Sequence, residues 1–258
     1  MPPPDARPIG TPDQHERLGR LTADDFIRLA QEDGLSGNER SGFPDAFRQG
    51  RDGVLMADIR MKVPALDTPG ATIVDIGLGC SDLAFALRRH CEADGRRLVA
   101  VDAPEVLAHH PPGPAFVPVP GRFPHADPRA VVGMQGAEGI IAYSVLQYLK
   151  DDESASEFVV AAAALLAPGG QLLIGDIPNR DMRSRFIDSA AGREYNRRLW
   201  GHDAPPPSVV QDDGPLTDAF LLDLVRQLRA QGVHAWLAPQ SPALPMANRR
   251  EDLIVHRP

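Results

Sequence analysis

The sequence predicts an α/β fold: a mostly parallel seven-stranded sheet, closed by an antiparallel C-terminal hairpin, with an N-terminal helical cap. Three observations carry this expectation. From Thr72 onward, short β-branched runs alternate with helix-length segments. The first run ends in a glycine turn, Ile76-Gly-Leu-Gly-Cys-Ser81, that opens onto a helix-forming segment. The last two runs, at 233–238 and 252–256, flank a proline-containing connection with no helical pattern, which pairs them as a hairpin.

Composition narrows the class. A chain of 258 residues with 43% hydrophobic content is long enough for one α/β domain with additions. The net charge of −8 provides no basic field, which argues against nucleic acid and for a small-molecule partner. Cys80 and Cys91 form no Cys-x-x-Cys pair and share one turn-helix unit, so a reducing cytoplasm is the expected location. Residues 1–14 lack the apolar core of a secretory signal. The longest apolar run, 158–167, falls far short of the ~20 residues that span a bilayer. A soluble protein with no membrane partner is expected.

Taken in order, residues 1–20 read as a disordered leader, broken by Pro2-Pro3-Pro4 and Gly10-Thr-Pro12. Thr22 is placed to cap a helix with Phe26, Leu29 and Ala30 as its apolar stripe and Gly34 at its end. Residues 38–48 lead into a second helix carrying Val54, Leu55, Ile59 and Val63, so that 21–66 form the cap and 67–258 the α/β domain. Strands are predicted at 72–76, 98–101, 116–119, 139–143 and 171–175. A helix is predicted over 151–166, with Asp151 and Asp152 at its positive end and Pro168-Gly-Gly170 as its stop. The arginine-rich stretch 179–200 reads as helical, with a break at 202–207. Thr217 caps the last helix, whose Phe220, Leu221, Leu224, Val225 and Leu228 share one face before Gly232.

The chemistry gathers at the glycine turn. Gly77 and Gly79 let a ligand approach bare backbone, Ser81 can cap the following helix, and the free N–H groups there can hold a polar ligand group. This is the pattern of a nucleotide-cofactor site. Asp82 stands where the dinucleotide fingerprint Gly-x-Gly-x-x-Gly has its last glycine, which weakens the nicotinamide reading. Asp176, ending the fifth strand, faces the crevice of an open α/β sheet and is the candidate base; its structural alternative is to cap the next helix or brace Asn179. His202, in a loop able to fold over the crevice, is the second catalytic candidate. His90 reads as structural, and His109-His110 has no further ligands at metal-binding spacing, so no metal is expected. Arg180, Arg183, Arg185, Arg193, Arg197 and Arg198 read as a solvated face, with an anionic acceptor as the alternative. Arg48 and Arg51 are candidates for a cofactor carboxylate or an acceptor phosphate.

Val74-Asp-Ile-Gly-Leu-Gly79, Asp102 at the end of the second strand, and Leu166-Ala-Pro-Gly-Gly170 before the fifth resemble the S-adenosylmethionine-dependent class I methyltransferases, from about 70 to the C-terminus. A finer resemblance, to bacterial methyltransferases of sugar and surface-polysaccharide clusters, rests on four segments. These are Gly42-Phe-Pro-Asp-Ala-Phe-Arg48, Ala142-Tyr-Ser-Val-Leu-Gln-Tyr148, Gly175-Asp-Ile-Pro-Asn179 and Arg250-Glu-Asp-Leu-Ile254. The resemblance implies a Rossmann-like sheet, S-adenosylmethionine as cofactor, and O-methylation of a sugar or nucleotide-sugar precursor. It places cofactor contacts at Asp75, Gly77, Gly79 and Ser81, the ribose at Asp102 and Ala103, adenine at Phe123, and the methyl near Tyr143 and Ser144. Beside these, read from their own positions, Arg48, Tyr148 and Asn179 are the candidate acceptor contacts, and Asp176 and His202 the separate catalytic candidates. Ser81 departs from the family pattern, which often has a third glycine there. Two other readings are a nicotinamide-dependent oxidoreductase and a non-catalytic cofactor-binding protein. The sequence leaves the oligomeric state open, a homodimer being one option.

Overall fold

The structure is a computed structural model describing residues 21–149, 151–203 and 216–258. The expected leader, 1–20, and the proline run Pro205-Pro-Pro207 lie outside the described residues. Seven strands form one sheet: β1 (Thr72–Ile76), β2 (Arg97–Asp102), β3 (Phe116–Pro120), β4 (Ala137–Tyr143), β5 (Leu166–Pro178), β6 (His234–Pro239) and β7 (Arg250–His256). Their order is β3-β2-β1-β4-β5-β7-β6, and β7 alone runs antiparallel to its neighbours. The principal helices are α1 (Ala23–Gln31), α2 (Asp52–Lys62), α3 (Asp82–Ala93), α4 (Asp152–Ala163), α5 (Arg180–Ile187), α6 (Ala190–Trp200) and α7 (Asp218–Ala230). Among the described residues no helix is long and apolar enough to cross a membrane.

The central strand explains the layering. β1 lies between β2 and β4, with Val74 beside Val99 on one side and Ile140 on the other. Successive side chains leave opposite faces of a strand, so Val74 and Ile76 enter one hydrophobic layer and Ile73 the other. The first layer is completed by Phe158 and Val159 of α4 and by Leu221 and Leu224 of α7. The second takes Ile59 of α2 with Leu87 and Cys91 of α3. Covering both faces is what a parallel sheet requires, and it accounts for the continuous apolar runs in the sequence. Asp151 and Thr217 cap α4 and α7, accepting the N–H groups of Ser154 (2.8 Å) and Phe220 (3.2 Å).

Several boundaries differ from expectation for local physical reasons. Val54 is 43% exposed, because the buried stripe of α2 runs through Leu55, Met56 and Ile59 and leaves Val54 to its side. Residues 38–48 do not run straight into that helix; they form two single turns, Gly37–Arg40 and Asp45–Arg48, with Pro44 at the start of the second. α4 ends at Ala163, and Pro168-Gly-Gly170 lies inside β5, where the pairing with β4 shifts register between Ala137 and Gly139. The 179–200 stretch divides at Ser189, whose hydroxyl accepts the Gly192 N–H (3.0 Å) and so starts α6.

Lys62, at the end of α2, ties the cap to the sheet. Its Nζ lies 2.5 Å from Asp58 and 2.6 Å from Asp252 on β7. Asp252 is fully buried and also accepts the backbone N–H of Asp176 (2.8 Å). Lys62→Met leaves two buried carboxylates without their cation, and breaking such a cluster costs about 3–5 kcal/mol. Urea denaturation of this variant is expected to show a loss of that size; an unchanged midpoint would mean that the cluster contributes no net stability.

Candidate functional site

The glycine turn follows β1 directly. Gly77 has φ +80°, and a Cβ there would lie 2.6 Å from the Val145 side chain, so only glycine lets the turn close against the loop after β4. Ser81 caps α3 through Ala84 N–H (3.4 Å). Asp102, at the end of β2, accepts Gly79 N–H with one oxygen (2.9 Å) and Ala103 N–H with the other (2.7 Å). The Gly79 carbonyl lies 2.8 Å from His110 Nε2. The turn is thus held from three directions, because the cap reaches it too: Ser41 Oγ accepts Cys80 N–H (2.9 Å), and Asn38 donates to the Asp82 carboxylate (3.1 Å). The expectation that the helix start presents free N–H groups is narrowed. Ser41 accepts Cys80 N–H, and Asn38 and Ser81 lie 3.4 Å from the Asp82 and Ala84 nitrogens, which leaves Leu83 N–H of the first turn with no acceptor among the described residues.

Above the turn is a cavity of about 380 Å³, within the range of small-molecule sites. Asp75, Gly77, Gly79 and Ser81 line it, with Asp102 and Ala103 beside them. Phe123 lines it as well, set edge-on to Phe158 with centroids 5.2 Å apart. Tyr143, Ser144, Arg48 and Tyr148 complete the sequence-predicted residues that meet there. Asp75 is 6% exposed, and burial, reinforced by the negative charge of Asp102, pushes its carboxyl up to about 8. Asp102 is also raised by burial, against the pull of the Gly79 and Ala103 amides. Two neighbouring acids that resist ionisation mark this wall as one that favours a cation.

Where β4 and β5 end, Ser144 and Asp176 both have φ near +61°, a conformation rare outside glycine and typical of functional sites. The Ser144 hydroxyl bonds the Asp176 carboxylate, and Arg48 Nη2 donates to both, at 2.9 and 2.7 Å. Arg250 Nη1 approaches the same Asp176 oxygen at 2.9 Å. Burial alone would raise Asp176, but Arg250, Arg48 and the Ser144 hydroxyl together hold it below the ordinary carboxylate value. Asp176 is therefore corrected from candidate base to anchor: a doubly ion-paired carboxylate behind the lining is a poor proton acceptor, and it fixes Arg48 instead.

Two further candidates are not brought to the cavity. His202 is exposed and outside the lining. Asn179 is 1% exposed and faces away, donating to Asp218 (2.7 Å) and Glu251 and capping α5 through Met182 N–H (3.0 Å). Exposed arginines of α5 and α6 pair with nearby acids, Arg185 with Asp218 and Arg197 and Arg198 with Glu194, which supports the solvated-face reading for them. His90 and His109 bond the carbonyls of Leu66 and Ala30, as structural histidines do.

Apart from Arg48, sequence reasoning missed the contributions of the cap. Asn38, Arg40, Ser41, Phe43 and Asp52 all line the cavity. Asp52 begins α2, and its carboxylate forms no hydrogen bond or ion pair among the described residues. The one local signal was Ser36-x-x-Glu39, a capping box that starts the Gly37–Arg40 turn. It marks a helix start and says nothing of a destination more than forty residues away along the chain.

The raised Asp75 carboxyl has a consequence for stability. Its neutral form suits the folded state, so its contribution is complete below its unperturbed value of 3.8 and is lost as pH rises through about 8. The ligand-free protein is expected to lose stability across that interval. In Asp75→Asn the decline should be shallower, measured as denaturation midpoints against pH; identical slopes would show that Asp75 titrates normally.

No protein-family model matches the chain, and no curated protein sequence matches it. Among solved structures the chain is similar to the plantazolicin methyltransferase BamL in complex with a triazolic desmethylPZN analog and S-adenosylhomocysteine. That likeness has TM-score 0.57 and 10% identity, over 95% of this chain and 96% of the other. It is also similar to N-methyltransferase NodS from Bradyrhizobium japonicum WM9 in complex with S-adenosylhomocysteine, with TM-score 0.54 and 13% identity, over 93% of this chain and 100% of the other. A third is an O-methyltransferase family protein from Burkholderia thailandensis, with TM-score 0.50 and 18% identity, over 95% of this chain and 68% of the other. At such identities the likeness is one of architecture: the chain has the seven-stranded class I methyltransferase fold.

Proposed function

We propose that the protein transfers the sulfonium methyl of S-adenosylmethionine to a hydroxyl of a small-molecule acceptor. The observation that carries this reading is the pair Asp75, buried, and Asp102, half-buried, both on the cavity wall with raised carboxyls. S-adenosylmethionine brings a sulfonium, an ammonium and a ribose diol, and so suits an acidic wall of hydrogen-bond acceptors. Asp102 and Ala103 are assigned to the ribose, Asp75 to the cationic part, and Phe123 to the adenine. A nicotinamide dinucleotide fits worse. Its diphosphate would meet two acids, and three amides of the turn, those of Gly79, Cys80 and Asp82, are already accepted by Asp102, Ser41 and Asn38. The two free, buried cysteines, Cys80 and Cys91, fit the cytoplasmic location we propose.

The bound cofactor would supply an activated methyl group, so this chain's task is to align the acceptor, exclude water and take a proton. Asp52 is the carboxylate on the cap side of the cavity that has no partner among the described residues, and we assign it the proton. Residues 67–258 hold the cofactor in this reading, and 21–66 close the acceptor side. The sugar acceptor implied by sequence resemblance needs partners for several hydroxyls. Beside the polar cap residues Asn38, Arg40, Ser41, Arg48 and Asp52, the cap and the loop after β4 offer rings and aliphatic side chains, with Ser144 and the Tyr148 hydroxyl as further polar groups.

Titration calorimetry should show S-adenosylhomocysteine binding and no comparable binding of NAD; the reverse result would overturn the proposal. Asp102→Ala removes hydrogen bonds to a charged group, worth about 1.5–3 kcal/mol, so affinity should fall roughly ten- to hundredfold. Asp52→Asn should slow methyl transfer to a hydroxyl acceptor by about 10²–10⁴-fold while leaving S-adenosylhomocysteine affinity intact. Unaltered turnover would remove Asp52 from the mechanism, and binding without turnover by the unmodified protein on every acceptor would favour a non-catalytic role.

A further inference from the structure

The cap and the loop after β4 bring a second set of side chains to the cavity, distinct in chemistry from the acidic wall. Phe26 of α1 meets Tyr148 edge-on, with ring centroids 4.6 Å apart. Gly42 keeps Phe26 next to Phe43: with φ +79°, a Cβ there would lie 3.0 Å from the Phe26 ring. The Arg48 guanidinium lies 4.2 Å from the Phe43 centroid and 5.7 Å from that of Tyr143. Phe26, Phe43, Tyr143 and Tyr148 all line the cavity, and none of the four is fully buried, although the sheet and cap enclose them. Partly bare rings on an internal wall are surface that a flat apolar ligand would cover.

The charge of this wall restricts the ligand further. Arg48, Arg250 and Lys62 are matched by Asp176, Asp58 and Asp252 in one buried network, so this side of the wall carries little net charge; Arg40, the other guanidinium of the cap lining, donates to the Glu32 carbonyl (3.2 Å). Arg48 nevertheless spends only Nη2 on Ser144 and Asp176. Its remaining N–H donors, held over the Phe43 ring, can meet a single oxygen at the edge of a ring.

We infer that the methyl acceptor is a planar aromatic compound with a phenolic hydroxyl, stacked among Phe26, Phe43 and Tyr148 with an oxygen substituent toward Arg48. This rests on the methyl-transfer reading above. In the reaction the phenolic proton passes to Asp52, the oxygen forms a bond to the methyl carbon, and the carbon–sulfur bond breaks. Its electron pair stays on sulfur, which leaves as the neutral thioether.

The test uses the full chain saturated with S-adenosylhomocysteine. Binding of 4-hydroxybenzoate and catechol is compared with that of methyl glucoside and a nucleoside-diphosphate sugar, by saturation-transfer NMR and calorimetry. The aromatic probes are expected to bind and the sugars not to. Phe43→Leu and Phe26→Leu, which keep apolar volume and lose the ring, should weaken the aromatic probes about three- to tenfold and leave S-adenosylhomocysteine affinity unchanged. Binding of sugars alone, binding of neither set, or aromatic affinity indifferent to both variants would overturn the inference. Should a leucine variant fail to fold, the comparison of the two probe sets on the unmodified chain decides alone. Failure of S-adenosylhomocysteine itself to bind would instead overturn the methyl-transfer reading, and that outcome is visible in the first titration.

Discussion

The parallel pairing of β1 with both β2 and β4 is the constraint on which the rest of the molecule depends. It places Asp75 beside Ala100 and Ile141 and brings the ends of β1, β2, β4 and β5 to one edge of the sheet. The side chains that leave those ends, Asp102, Ser144 and Asp176 among them, can then approach one another only from above that edge. A glycine turn at Gly77 keeps the approach open, since any larger residue would collide with Val145. Hydrophobic layers on both faces hold the sheet, and the polar edge is where a ligand can be met without disturbing them.

Electrostatics divides that edge in two. On the β1–β2 side, burial lifts the Asp75 and Asp102 carboxyls, and the wall would gain from an incoming cation. On the β4–β5 side, Arg48, Arg250, Lys62, Asp176, Asp58 and Asp252 neutralise one another, and the surface left to a ligand is chiefly aromatic. A buried network of this kind gives little net stability in general, yet it holds side chains in one arrangement. Here it fixes Arg48, and through Arg48 it fixes the cap over the crevice.

The cap also stiffens the turn. Ser41 and Asn38 take amides that a glycine turn usually leaves to its ligand, so ligand selectivity is set partly by what the cap has already occupied. Fewer amides are left for a diphosphate, whereas a ligand that needs acceptors finds them in Asp75 and Asp102. The same packing explains Gly37, where a Cβ would lie 2.3 Å from the Cys80 carbonyl.

By itself the sequence determined the features that local chemistry controls. Strand runs, the helix caps at Ser81 and Thr217, and the Gly77-Leu-Gly79 turn are legible because each depends on neighbours within a few residues. A mostly parallel sheet with a closing hairpin followed, since alternating strands and helices leave few topologies, whereas the order of the strands across it came from the structure. Asp102 was legible as well, from its place at the end of the strand after the turn. Asp176 shows the limit: its position at a strand end was readable, but its protonation is governed by Arg48, 128 residues earlier in the chain, and by Arg250. Only the tertiary structure decided that it anchors rather than abstracts, that Asn179 turns away, and that Phe26, Phe43 and Asp52 face the cavity. Those roles depend on the net field and contacts of side chains brought together by folding, and no local pattern encodes them.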